Sequence, residues 1–281
     1  MTEATGEGHP LIPAGLDADV VLVRHGESQW IAEGLFQGQG DSPLTETGRR
    51  QALLTARRIA RRTRRPTLPL PAAAPRRVVH SPLSRAAETA TLITRAVNGG
   101  RGEDAVATPV PLHADPGFLE IGQGEWEGKP GIEIVERWGE LLEAWRRDPL
   151  TAWAPGGESL PVVDARARAS LRGLLADLAT VDPAPVTGRS QVLGYADLVG
   201  TEPWSIVVAH DGLFKIALLA LLDLPLARFW TLPFALCGIT ILEIRGGRPR
   251  LRLHNSTDHL AELQAVAPQA HDSSRRPGGA L

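Results

Sequence analysis

Two short apolar runs in this chain each end in a histidine, and that repeated plan constrains the fold more than any other feature. Val20, Val21, Leu22 and Val23 lead into Arg24, His25 and Gly26; much further along, Ile206, Val207, Val208 and Ala209 lead into His210, Asp211 and Gly212. A short β-branched run bounded by a turn residue reads as a buried strand. Open α/β sheets hold their ligands just beyond the carboxyl ends of their strands, so both imidazoles are expected to face one crevice. Arg24 adds a rigid fork of donors suited to phosphate oxygens. Gly26 is expected to let backbone approach a ligand with no side chain between.

Helical patterns alternate with these strands. Over 45–62, Thr45 is placed to cap a helix whose buried face holds Leu53, Ala56 and Ile59 or Ala60. Residues 64–76 contain four prolines, which end that helix and predict an exposed connection. Val78 and Val79 form a short strand, after which Ser81 as cap and Pro82 as first residue start another helix. The spacing of Val135, Trp138, Leu142 and Trp145 predicts an amphipathic helix over 132–147, part of a helical excursion over the site that spans roughly 120–159. Ser159 then caps a helix over 160–180 with Leu171, Leu174, Leu175 and Leu178 on one stripe. A connection over 181–203 is long by the standards of α/β proteins. Strands over 239–244 and 251–253, joined through Gly246 and Gly247, end the pattern. The alternation predicts a three-layer α/β/α sandwich. The 281 residues are read as one domain over 19–267 between loose tails at 1–18 and 268–281.

From here the chain resembles the histidine phosphatase superfamily, the phosphoglycerate-mutase-like fold, in its phosphatase branch. Arg24-His25-Gly26-Glu27-Ser28 matches the signature at the first strand, and residues 37–48 look like the loop that follows it. Ser81-Pro82-Leu83-Ser84-Arg85-Ala86 resembles the segment with the third phosphate-binding group. Residues 119–128 are similar to the segment that supplies the proton donor, and Val208-Ala209-His210 matches the second histidine strand.

The resemblance implies a phosphomonoesterase acting on a small phosphorylated metabolite, with His25 as the nucleophile that forms a phosphohistidine. Arg24, Arg85 and His210 would clamp the phosphoryl group, and Glu120 would be the general acid, with Glu125 the next choice. Glu127 reads as part of the turn that anchors the covering segment. No metal and no cofactor are implied, and His254 and His259 lack ligand companions at useful spacing. Two positions depart from the family pattern. Ile31 stands where asparagine is frequent, and Asp211 where glycine is frequent; Asp211 is read as a helix N-cap aimed at backbone amides. Trp138 and Trp145 are read as core, whereas Trp30, Phe36 and Trp126 lie in loops from which they could reach substrate.

Alternatives within the superfamily are a phosphoglycerate mutase-type phosphotransferase and a protein-phosphohistidine phosphatase. The mutase-type Glu-Arg-His-Tyr-Gly segment is absent. From another class comes a protein-binding module that has kept the fold and lost turnover. A net charge of −2 gives no reason to expect nucleic acid or an anionic membrane as partner, and a homo-oligomer stays open. The single cysteine, Cys237, excludes an internal disulfide framework and reads as a small buried hydrophobe. Without a basic, apolar leader the expected location is the cytoplasm.

Overall fold

The computed structural model describes residues 10–99, 108–181 and 201–264. The first apolar run forms strand β1, Ala18–Arg24, buried along its length except at Arg24. A single turn, α1 (Gln29–Ala32), and the helix α2 (Glu46–Ala60) follow. Thr45 caps α2 as expected, its side chain accepting from the Gly48 amide at 3.0 Å. Then come β2 (Val78–His80), α3 (Ser84–Asn98), β3 (Leu112–Ala114), α4 (Gly131–Arg147) and α5 (Leu160–Ala179). The second apolar run forms β4 (Trp204–Ala209) and feeds α6 (Asp211–Leu221), which is buried at every position. The hairpin β5 (Ile239–Arg245) and β6 (Arg248–Ser256) turns through Gly246 and Gly247, and α7 (Ala261–Gln264) closes the described chain.

The six strands lie in the order β3-β2-β4-β1-β5-β6. β3, β2, β4 and β1 run parallel, while β5 and β6 are antiparallel additions at one side. Side chains alternate across a strand, so each strand feeds two cores. Val20 and Leu22 join Val207, Leu242 and the apolar faces of α4, α5 and α6 on one side of the sheet. Val21 and Val23 join Ile206, Val208, Ile241 and the inner faces of α2 and α3 on the other. Helices on both faces make the sandwich that the alternation predicts. The outer edge strand β6 carries Arg248, Pro249, Arg250 and Arg252, residue types that blunt pairing at a free edge.

Several local readings change. α3 begins at Ser84 rather than at Pro82, because Leu83 is extended (φ −61°, ψ 137°) and the Ser81 hydroxyl is engaged with His210 instead of capping. Leu53 is 40% exposed; the buried stripe of α2 runs through Gly48, Ala52, Thr55, Ala56 and Ile59, since Gly48 packs backbone against backbone. Val135 faces solvent, and α4 is kinked at Trp138, whose φ of −136° is non-helical. Leu11, Ile12 and Leu16, read as tail, are buried in the larger core. The connection over 64–76 also buries Leu68 and Leu70, while Arg62 donates to the carbonyls of Pro71 and Ala73. Most of the long connection, 182–200, and the C-terminal tail at 268–281 lie outside the described residues. Among the described residues no helix is long and apolar enough to cross a membrane.

Candidate active site

Parallel register brings the sequence-predicted residues together. Arg24 pairs with Ala209 and His80 with Val208, so the next residues, His25, His210 and Ser81, emerge side by side at the carboxyl edge. The His25 and His210 ring centroids are 5.0 Å apart at an interplanar angle of 60°. Both rings are buried.

His25 is held in one tautomer. Its Nδ1 lies 2.6 Å from the Gly26 carbonyl, and a carbonyl can only accept, so Nδ1 carries the proton and Nε2 keeps the lone pair. Burial, reinforced by the charges of Arg85 and Arg24, holds the His25 pKa well below the usual histidine value. The ring is therefore neutral at pH 7 and can act as a nucleophile. Gly26 serves a different purpose from the one expected. A Cβ on it would meet the Gly48 carbonyl oxygen at 2.4 Å, so its lack of a side chain lets α2 close against the turn that follows His25.

Arg85 is in the first turn of α3 and fully buried. Its two terminal nitrogens donate to the carbonyls of Gly38 (2.7 Å) and Gly40 (3.0 Å). Glu127 braces the same loop from behind, its carboxylate accepting from the amides of Gln39, Gly40 and Gln123. Burial lowers the Arg85 pKa to about 10, which leaves it charged at neutral pH. Arg24 donates to the Phe234 carbonyl at 2.6 Å. His210 Nε2 sits 2.7 Å from the Ser81 hydroxyl. Among the described residues three buried nitrogens of these side chains are left without a protein partner, Arg24 Nε, Arg85 Nε and His210 Nδ1; the charges of both arginines reach His25 and the His210 ring lies against it. Unpaired buried donors are costly, about 1–3 kcal/mol each, and their collection around one imidazole is what a polyoxygen anion needs.

Glu120 is buried against the start of α6. Oε1 accepts from the amides of Ile121 and Leu213, both at 2.9 Å, and Oε2 from Gly212 at 3.2 Å. A Cβ on Gly212 would meet Glu120 Oε1 at 2.8 Å, so this glycine makes room for the carboxyl. Burial raises the Glu120 pKa despite those amides and Arg85, with Asp211 adding to the rise. Glu125, the other candidate acid, is exposed. Asp211 is not the cap expected of it. It is the first residue of α6, where it pairs with Lys215 at 2.8 Å and accepts from the Phe234 amide at 3.0 Å. Those partners fix its carboxylate in the loop that also holds Arg24.

Among the aromatics, Phe36 and Trp126 are buried and stack edge to face, with Trp145 continuing the series, so they are packing rather than substrate contacts. Trp30 is half-buried beside Gly40 and Gly128. Cys237 is buried, which pushes its thiol up to about 12 and keeps it protonated. Its amide bonds to the carbonyls of Arg24 and His25. Among the described residues no group of three or more His, Cys, Asp or Glu side chains could hold a metal ion.

The sequence reading missed a supporting layer. Arg166 on α5 donates to the carbonyls of Gly117, Leu119 and Glu120 and forms a two-point pair with Glu158, which also accepts from the Gly122 amide and Gln39. This clamp closes the base of the excursion and fixes the main chain at Glu120. No local motif announces it, because Arg166 is one of many arginines and its partners are backbone oxygens 46–49 residues away. Arg166→Ala is expected to cost about 2–4 kcal/mol of stability in a urea titration, as three carbonyls and a carboxylate lose their donor. Arg166→Lys should recover only part, since an ammonium cannot reproduce the fork. A wild-type midpoint for Arg166→Ala would remove the clamp from the account.

A neutral imidazole at a strand end, two guanidiniums and a buried, protonatable carboxyl on an α/β sandwich suit phosphoryl transfer. Comparison with known proteins makes the assignment specific. The family profile of the histidine phosphatase superfamily (branch 1) matches residues 20–187 and 192–257. Phosphoserine phosphatase 1 of Hydrogenobacter thermophilus is 26% identical over 89% of this chain and 98% of that protein. Glucosyl-3-phosphoglycerate phosphatase of Mycobacterium tuberculosis is 32% identical over 75% of this chain and 78% of its own. A solved structure of the mycobacterial glucosyl-3-phosphoglycerate phosphatase with VO3 superposes with a TM-score of 0.63 at 29% identity, covering 85% of this chain and 99% of that one. The chain belongs to branch 1 of the histidine phosphatase superfamily and is a phosphatase.

Proposed function

We propose that the protein hydrolyses phosphomonoesters of small metabolites by two successive displacements on His25. In the first, the Nε2 lone pair attacks phosphorus, the P–O bond to the leaving group breaks, and Glu120 gives its proton to the departing alkoxide. In the second, the Glu120 carboxylate takes a proton from water as that water attacks phosphorus. The P–N bond breaks, phosphate leaves, and His25 is again neutral. Arg24, Arg85 and His210 offset the charge on the equatorial oxygens throughout. The observation that carries this reading is the set of three unpaired buried nitrogens around an imidazole whose Nδ1 is locked to the Gly26 carbonyl.

Ser81 completes the arrangement. If its hydroxyl donates to His210 Nε2, the His210 proton sits on Nδ1, the unpartnered nitrogen, which can then donate to a phosphoryl oxygen. A small phosphorylated hydroxy compound as substrate is supported by relatives named for phosphoserine and for glucosyl-3-phosphoglycerate. A release assay for inorganic phosphate across phosphorylated amino acids, sugars and glycerate esters tests the class. Turnover confined to phosphohistidine-bearing protein, or transfer to a second metabolite in place of water, would replace it.

Activity is expected to survive exhaustive chelation, because charge compensation comes from two guanidiniums and an imidazole rather than a carboxylate-bound cation. Loss of turnover in EDTA that returns with added Mg²⁺ or Zn²⁺ would refute this part of the mechanism.

A further inference from the structure

Away from the catalytic crevice, the end of α2 and the chain beyond it carry Arg57, Arg58, Arg61, Arg64 and Arg65 into one groove of about 700 Å³. Along α2, Gly48 touches the catalytic turn and Arg61 lies thirteen residues further, about 20 Å along the axis. The groove is therefore a separate place on the molecule. Asp258 and Glu262 line it as well, so five arginines share the groove with two carboxylates. His259 between them is held neutral by burial, its pKa lowered to about 4.

Ordinary helix chemistry accounts for part of this charge. Arg57 and Arg58 sit in the last turn of α2, where cations complement the helix dipole. Arg61, the C-cap residue, shares that benefit, whereas Arg65 lies past the helix end and gains little from it. Arg57 and Arg61 are four apart, and Arg58 and Arg61 three apart, spacings at which like charges oppose a helix. Among the described residues Arg57, Arg61 and Arg65 form no ion pair with a carboxylate, while Arg58 feels the charge of Asp258 without a direct bridge to it. This concentration of cations occurs in a chain whose net charge is −2, so it is local and not a general basic character.

We propose that this groove binds a multiply phosphorylated small molecule, whose phosphate oxygens pair with the guanidiniums of Arg57, Arg58, Arg61 and Arg65. Planar guanidinium forks match phosphate geometry, and the volume is that of a small-ligand pocket. Single-stranded nucleic acid is a poorer fit. No Phe, Tyr or Trp side chain lines the groove to stack a base, and the slightly negative chain lacks the long-range attraction such partners exploit.

Calorimetric titration of the full chain with inorganic triphosphate tests the proposal, using His25→Ala protein so that no turnover intervenes. One triphosphate per chain is expected to bind the groove, and Arg61→Glu/Arg65→Glu should weaken it about a hundredfold, tenfold for each lost charged contact. In an otherwise wild-type chain the same pair of substitutions should leave kcat and KM for an aryl phosphate unchanged. Arg24→Ala, in the catalytic crevice, should leave triphosphate affinity for the groove intact. The double alanine variant Arg61→Ala/Arg65→Ala, which adds no new charge, gives the same reading should the glutamates impair folding. Four results would overturn the proposal: affinity unaffected by the groove substitutions; binding lost with Arg24→Ala alone; monophosphate binding as tightly as triphosphate; or a single-stranded RNA competing more strongly than triphosphate through the same arginines.

Discussion

His25→Ala is expected to lower kcat by on the order of 10⁴- to 10⁶-fold while leaving the fold in place, because in the proposed mechanism it removes the atom that forms the covalent intermediate. The structural cost is small. The ring makes one hydrogen bond, to the Gly26 carbonyl, and losing it is worth about 1 kcal/mol. A rapid quench of wild-type enzyme with labelled substrate should trap an adduct that is stable to base and labile to acid, and the alanine variant should trap none. Label on a serine or on Cys237 would sink the mechanism. The buried, protonated Cys237 thiol makes that outcome unlike anything the geometry supports.

In the proposed mechanism the same residue sets the acid side of the pH profile. A histidine whose folded pKa lies well below the ordinary value stays neutral as pH falls through 6.5, so nucleophilicity persists there and is lost only further down. Stability runs the other way around that point. The unfolded chain takes up protons near 6.5 that buried His25 and His210 refuse, so stability falls as pH drops from 7 toward their depressed pKa values. An acid limb in kcat/KM centred at 6.5 and abolished by no other substitution would contradict this ordering.

What could be read from the chain followed from how local each signal was. Each strand-end histidine sits in a contiguous pattern of apolar run, charged or polar residue and glycine, so β1 and β4, and the meeting of their two histidines at one edge of the sheet, were legible. Arg85 was legible through its segment, although its helix starts at Ser84 and not at the proline. What stayed hidden depends on contacts between distant segments. Asp211 looked like a cap because aspartate at a helix start usually is one, yet Lys215 and the Phe234 amide take its oxygens. Trp126 and Phe36 looked accessible because they lie in loops, and only the packing of Trp145 against them shows that the excursion buries its own aromatics. The Glu158–Arg166 clamp has no sequence signature at all, since its main partners are carbonyl oxygens that every residue carries.

Glu120→Gln should slow phosphorylation of His25 by an alkyl phosphate about 10²- to 10⁴-fold and by an activated aryl phosphate far less, because an aryl leaving oxygen needs little help from a proton. The geometry says where that proton resides. Oε1 is occupied by two short amide contacts and Oε2 by one at 3.2 Å, so the acid form carries its hydrogen on Oε2, the oxygen with a free lone-pair direction. The raised pKa keeps a protonated fraction to higher pH than an exposed glutamate would, and this acid is lost as pH rises through that pKa. Alkyl ester turnover should therefore show an alkaline limb that Glu120→Gln removes. Since the proposed mechanism has the same carboxylate activate water in the second step, the aryl substrate should give a burst of phenolate followed by slow turnover in this variant. Exposed Glu125 offers no such environment, and Glu125→Gln should behave as wild type with both substrates. Equal slowing of both substrates in the phosphorylation step, or selective loss in the Glu125 variant instead, would move the general acid away from Glu120.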